Sequence, residues 1–212
     1  MCTSHRDASN DLCKAIAAVT RRLCSEFVDP KGLSALVACR IIALDKNPGF
    51  RPIGIGETLR RIIARAVLST FKDDILMAAG PMQLCAGQES GCEAAVHVMQ
   101  KLFNSPEVEA VLLVDATNAF NSINRQTALR NIQHNCPVIS TILINTYRDD
   151  VNLFIDGEKL ISLYQKKEQL KVIYWQWPMY ALALLPLINS LSDDAIKQIW
   201  YADDACSFLW PD

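Results

Sequence analysis

Apolar side chains at Leu12, Ile16, Val19, Leu23 and Phe27 return every three or four residues. That spacing predicts an amphipathic helix over 9–27, capped by Ser9 or Asn10 and ended by Pro30-Lys31-Gly32. Residues 37–44 favour strand, Lys46-Asn47-Pro48-Gly49 is a turn, and 50–55 comes back as a second strand. A hairpin is expected there, with Lys46 and Arg51 near its tip. A long helix is predicted over 57–79, carrying Arg60, Arg61 and Arg65, then a loop over 80–91 and a helix over 92–103. Glu109 to Val114 reads as a buried strand that ends in Asp115. Helical spacing resumes from Asn118 to about Gln133, and again from Pro137 to about Tyr147. Two short apolar runs flank Asp156-Gly157, a hairpin signal. Residues 164–177 fit no simple template, 178–191 form an apolar helix, and 196–209 form a last hairpin. The class expected is α+β.

That last hairpin organises the rest. In Ile199-Trp200-Tyr201-Ala202-Asp203-Asp204-Ala205-Cys206-Ser207-Phe208-Leu209, two carboxylates stand between runs rich in aromatic and strand-favouring residues. The pairs Asp73-Asp74, Asp149-Asp150 and Asp193-Asp194 have polar neighbours or lie at helix ends, and read as solvated surface. Taken alone, Asp203-Asp204 is either an exposed turn or a pair of hard oxygen ligands for Mg²⁺. Asp115, at the end of another strand, supplies a third carboxylate. Phosphoryl transfer between polyanions needs charge neutralised at the attacking and the leaving oxygen, which two adjacent Mg²⁺ ions provide.

Composition narrows the field modestly. The chain of 212 residues is half apolar and has a formal net charge of −2, so overall charge gives no nucleic-acid signal. Its distribution is uneven: residues 1–72 balance to +6 and the remainder to −8. A basic part joined to an acidic part suits a polyanion on one side and metal ions on the other. The eight cysteines form no Cys-x-x-Cys, and Cys85, Cys92 and His97 do not have zinc spacing. Cys2, Cys13 and Cys24, eleven apart, fall on one helix face as packing residues. Reduced thiols and no secretory leader lead us to expect an intracellular protein. The longest apolar run, Met179 to Ile188, is too short to span a bilayer, so no membrane is expected. Gly54-Ile55-Gly56 lacks the third glycine of a dinucleotide loop.

Three motifs, in order, carry a family resemblance: Arg51-Pro52-Ile53-Gly54 with the arginine-rich helix after it, Val114-Asp115 through Ala119-Phe120-Asn121-Ser122-Ile123, and Tyr201-Ala202-Asp203-Asp204. Across about 36–206 the chain resembles the reverse transcriptase domain of retrotransposons. The resemblance implies a right-hand polymerase fold. Its N-terminal helix and fingers would be 1–85, its palm 86–123, a return to the fingers 124–162, and a second part of the palm 163–212, an antiparallel sheet backed by helices. It implies an RNA-directed DNA polymerase with two Mg²⁺ ions (Mn²⁺ as a substitute), working with an RNA template, a DNA primer and dNTP, in nucleus or cytoplasm. Asp115 and Asp203 would ligate the metals, Asp204 would complete the acidic cluster, and the Ala116 carbonyl would add a ligand. Phe120 would sit under the sugar and exclude a 2′-hydroxyl. Lys46 and Arg51 would hold the triphosphate, and Gln83 would lie in a substrate-binding loop, although Ala86 stands where that loop carries an aromatic.

One segment departs from the family. Where it has a Gly-Asp-Pro turn, this chain has Lys166-Lys167-Glu168-Gln169-Leu170-Lys171-Val172-Ile173-Tyr174-Trp175-Gln176-Trp177. With one choice of synonymous codons, reading from the third base of the Lys166 codon gives Glu-Gly-Thr-Thr-Gln-Gly-Asp-Leu-Leu-Ala-Met. We therefore expect 164–177 to be a compensated frameshift, and Trp175 and Trp177 to add bulk where template should pass. The family's thumb is expected to be missing from this chain, leaving it inactive alone. The alternative to an enzyme is a non-catalytic nucleic-acid-binding or decayed retroelement remnant.

Overall fold

The structure is a computed structural model that describes residues 6–45, 47–116, 119–155, 158–160 and 175–210. Lys46, the Asp156-Gly157 turn and residues 161–174 of the divergent segment lie outside the described residues, as do the side chains of Arg51 and Phe120.

The first helix, α1 (Arg6–Ser25), starts before the predicted one and ends two residues short of Phe27, so Ser9 and Asn10 lie within its first turns rather than capping it. Pro30 does more than end it. Asp29 accepts a hydrogen bond from the Lys31 amide at 2.9 Å and caps a second helix, α2 (Pro30–Val37). Proline is favoured at such a first helical position because its missing N–H would have no partner there. The strand β1 (Cys39–Asp45) therefore starts two residues later than expected and pairs antiparallel with β2 (Phe50–Gly56), Asp45 opposite Phe50. The single helix expected over 57–79 is two, α3 (Thr58–Thr70) and α4 (Lys72–Ala79), broken at Phe71 with ψ of 24°.

Next come α5 (Gly91–Phe103), β3 (Ala110–Asp115) and a short α6 (Ala119–Ser122). Asn124 then accepts from the Thr127 amide at 3.0 Å and starts α7 (Arg125–Asn135), splitting the helix expected from 118 to 133. After α8 (Pro137–Tyr147), β4 (Leu153–Ile155) and β5 (Glu158–Leu160) form a hairpin. The chain closes with α9 (Gln176–Ser190), β6 (Ile196–Tyr201) and β7 (Asp204–Leu209).

The strands make two sheets. One has the order β2-β1-β4-β5, with β4 parallel to β1; the other has the order β3-β7-β6 and is antiparallel. The main core lies among α1, α3, α7, α8 and α9, where Ile132, Ile139, Leu143, Leu182 and Ile188 are fully buried. Buried polar groups tie these helices. The Asn145 amide on α8 donates to the Leu23 and Glu26 carbonyls and accepts from the Val28 amide, so it closes the end of α1. Arg60, 2 % exposed, donates to the Val37 and Thr146 carbonyls and lies 4.9 Å from the Tyr147 ring centre. A buried cation is tolerated only when such partners replace its water.

Two expectations change. The strand ending in Asp115 is not buried: Leu112 and Leu113 are 62 % and 68 % exposed. β3 is an edge strand, and α5 packs mainly across β6 and β7. Trp175 does not stand in a channel; it is 1 % exposed within the main core. Among the described residues, no helix is long and apolar enough to cross a membrane.

Candidate functional site

The antiparallel sheet brings together what is distant in sequence. In the register of β3 on β7, Asp115 is the direct partner of Asp204, and Tyr201 on β6 is the next residue in that row. Directly opposed residues in such a ladder have α-carbons about 5 Å apart. Asp203 is the next residue, in the turn between β6 and β7. Three acidic residues thus lie at one end of one sheet. The strands hold that end because Ile199, Cys206 and Phe208 pack on the α5 side, while Trp200 and Ala205 pack into the main core on the other.

A small cluster seats the turn. Ala119 at the start of α6, Tyr180 on α9 and Ala202 are buried together, with Ala116, Cys85, Ile123 and Leu184 around them. Alanines at 119 and 202 keep this packing tight. Asp115 is fixed twice as a result, by its strand pairing before it and by the seat of Ala119 after it. Ala116, expected to offer its carbonyl, is half-buried on the same cluster.

The electrostatics are those of crowded negative charge. The Asp204 carboxyl is raised above its ordinary value by partial withdrawal from water, then by the charges of Asp203 and Asp115. An open hollow of about 290 Å³ is lined by Asp115 and Asp204 together with Met99, Leu113, Tyr201 and Cys206. Burial pushes the Tyr180 hydroxyl up to about 12, with the charge of Asp203 adding to it. The Cys85 thiol is also pushed up to about 12, by burial first, with Asp203 again raising it. No ion pair among the described residues involves Asp115, Asp203 or Asp204.

The donor set suits a hard divalent ion. It is all oxygen, and Mg²⁺ takes one or two protein carboxylates, completing its shell with water and substrate phosphate. Among the described residues, no group of three Asp, Glu, His or Cys side chains is placed to hold a metal ion.

The other expected residues are less gathered. Arg51 lies on β2 opposite Leu44, and Phe120 lies on α6, next to the buried Ala119. Gln83 requires a correction. Expected in a substrate-binding loop, it has a side chain only 1 % exposed, with its amide bonded to the backbone of Ala202. Tyr180 and Cys85 were not anticipated here, whereas Trp177 was expected to add bulk beside the template. The Trp177 ring lies 6.0 Å from that of Tyr201, at 56°. Tyr180 and Cys85 carry no local motif, and only the three-dimensional packing reveals them. No protein-family model matches the chain, and no curated protein matches it.

Proposed function

We propose that this chain carries the catalytic core of an RNA-directed DNA polymerase, which adds deoxynucleotides to a primer 3′-hydroxyl on an RNA template. The observation that carries this reading is the pairing of Asp115 with Asp204, beside Asp203 in the turn. Asp115 and Asp203 would hold two Mg²⁺ ions, with Asp204 completing the acidic cluster and the Ala116 carbonyl assisting. When bound there, the ions would supply Lewis-acid neutralisation of charge on the reacting phosphate oxygens.

The chain's own residues position the reactants. The β3–β7 pairing and the Ala119–Tyr180–Ala202 seat hold the carboxylates in fixed relation before substrate arrives, so little reorganisation remains at the moment of reaction. Lys46 and Arg51 are assigned to the triphosphate, where cations offset phosphate charge. The primer 3′-oxygen attacks the α-phosphorus, the bond to the β-phosphate oxygen breaks, and pyrophosphate leaves. The sheet of β1, β2, β4 and β5 is assigned to the fingers and that of β3, β6 and β7 to the palm. Such an activity belongs in the nucleus or cytoplasm.

The test is Mg²⁺-dependent extension of a DNA primer on an RNA template. Phe120 is assigned as the sugar gate. Phe120→Val is expected to raise ribonucleotide use relative to deoxynucleotide by about 10–200-fold, the range for adding or removing small apolar contacts in a pocket. An unchanged ratio in a protein that extends primers rejects the gate.

One sequence feature favours a second reading, a non-catalytic nucleic-acid-binding remnant. Val172-Ile173-Tyr174-Trp175 replaces a glycine turn, and β-branched residues disfavour such a turn. No extension by the parent chain, with Asp203→Asn indistinguishable from it, supports the remnant.

A further inference from the structure

The turn that carries Asp203 is built against its own preference. Ala202 sits at φ 58°, a left-handed conformation that an L-residue other than glycine adopts at a cost of about 1–2 kcal/mol. It is also fully buried, so its backbone amide and carbonyl have no water to turn to. Both are met by a single side chain. The Ala202 N–H donates to Gln83 Oε1 at 2.9 Å, and Gln83 Nε2 donates to the Ala202 carbonyl at 3.4 Å. Gln83 reaches across 119 positions to do this, and it is itself held in place on both sides. The Trp200 N–H donates to the Met82 carbonyl and the Leu84 N–H donates to the Trp200 carbonyl, each at 2.8 Å. The 82–84 segment therefore lies along β6 as a short parallel bridge, and the one residue at its centre turns a primary amide onto the turn.

We infer that Gln83 is the positioning residue of the acidic turn: its amide holds Ala202 left-handed, and thereby sets where Asp203 and Asp204 stand relative to Asp115. This rests on the metal-centre reading given above and adds to it a residue that touches neither ion nor substrate. A primary amide suits the task because it offers one donor and one acceptor to one peptide unit without bringing charge near three carboxylates. Glutamate would repel them and drop the donor, asparagine is one methylene too short, and an apolar residue leaves two buried backbone groups unpaired.

The experiment compares the full chain with Gln83→Met, which keeps the length and removes both hydrogen bonds. Amide hydrogen exchange is followed without metal, and Mn²⁺ binding by electron paramagnetic resonance. Faster exchange is expected in the 200–206 peptide of the variant, with α7 and α8 unchanged, and Mn²⁺ affinity is expected to fall about 10–100-fold, the usual effect of losing a group that orients a ligand. A fold defect alone would speed exchange in the helices as well. Parent binding of Mn²⁺ with equal affinity and equal turn exchange in the variant overturns the role of Gln83 and leaves the metal centre standing. Failure of the parent to bind Mn²⁺ overturns the metal centre itself, and with it the purpose assigned to this contact. If Gln83→Met does not fold, Gln83→Met with Ala202→Gly is used, because glycine accepts the left-handed turn freely. Mn²⁺ affinity within about tenfold of the parent's in that double variant then supports the assignment, and a greater loss overturns it.

Discussion

Where the chain extends primers, Asp203→Asn is expected to reduce Mg²⁺-dependent extension by about a thousandfold. Lewis-acid neutralisation of phosphate charge contributes several kcal/mol to such a reaction, and each 1.36 kcal/mol is roughly tenfold in rate. Asparagine keeps the size of the side chain and removes the charge that holds the ion. The same substitution is expected to leave the fold intact, and to raise the melting temperature slightly in EDTA. Partial withdrawal from water first, and then the charges of Asp203 and Asp115, push the Asp204 carboxyl upward, so removing the Asp203 charge relieves part of that penalty in the folded chain. A group whose folded pKa lies above its unfolded value destabilises the fold at pH above that folded value, and the penalty disappears as pH falls below the unfolded one. The stabilising effect of Asp203→Asn should accordingly be present at neutral pH and vanish in acid. Calorimetry in EDTA at the two pH values checks it; a lower melting temperature at neutral pH would show that Asp203 serves the fold.

Trp175→Ala is expected to cost about 3–5 kcal/mol, the range for truncating a fully buried large aromatic. That is a large share of the 5–15 kcal/mol or so by which domains are stable. Trp175 is 1 % exposed in the main core, immediately before α9. Trp177 is the control. It is 42 % exposed and touches Tyr201, so Trp177→Ala is expected to cost only about 0.5–1.5 kcal/mol. Urea titration separates the two. Equal midpoints would mean that Trp175 is not packed as described, and that the divergent segment does not hand over to α9 through the core.

Much of this was legible because local chemistry and tertiary packing agree. The Asp-Asp pair between two apolar runs gave the β6–β7 hairpin, and Val-Leu-Leu-Val before Asp115 gave β3. Other features were hidden for physical reasons. The apolar run of β3 marks a strand but not its place in the sheet, so an edge strand with exposed Leu112 and Leu113 reads the same as a central one. Pro30 was read as a stop, although with Asp29 before it the same residue starts α2. The break at Phe71 has neither proline nor glycine to announce it. Gln83 was read as facing substrate, whereas it faces the backbone of Ala202; nothing in its neighbours in sequence points to a partner 119 positions away. Trp175 looked like an obstruction because bulk in a divergent segment says nothing about which side of the chain it occupies.

The central claim is that carboxylates from two separate strands and one turn act as a single binding site for divalent ions. Mn²⁺ titration of the purified chain, with Asp115→Asn beside it and Mg²⁺ as competitor, tests this most directly. We predict saturable Mn²⁺ binding that Mg²⁺ displaces, and at least about tenfold weaker binding once Asp115 is neutralised, because a ligand is then lost from the shared shell. Binding that is the same with and without the Asp115 charge would contradict the account.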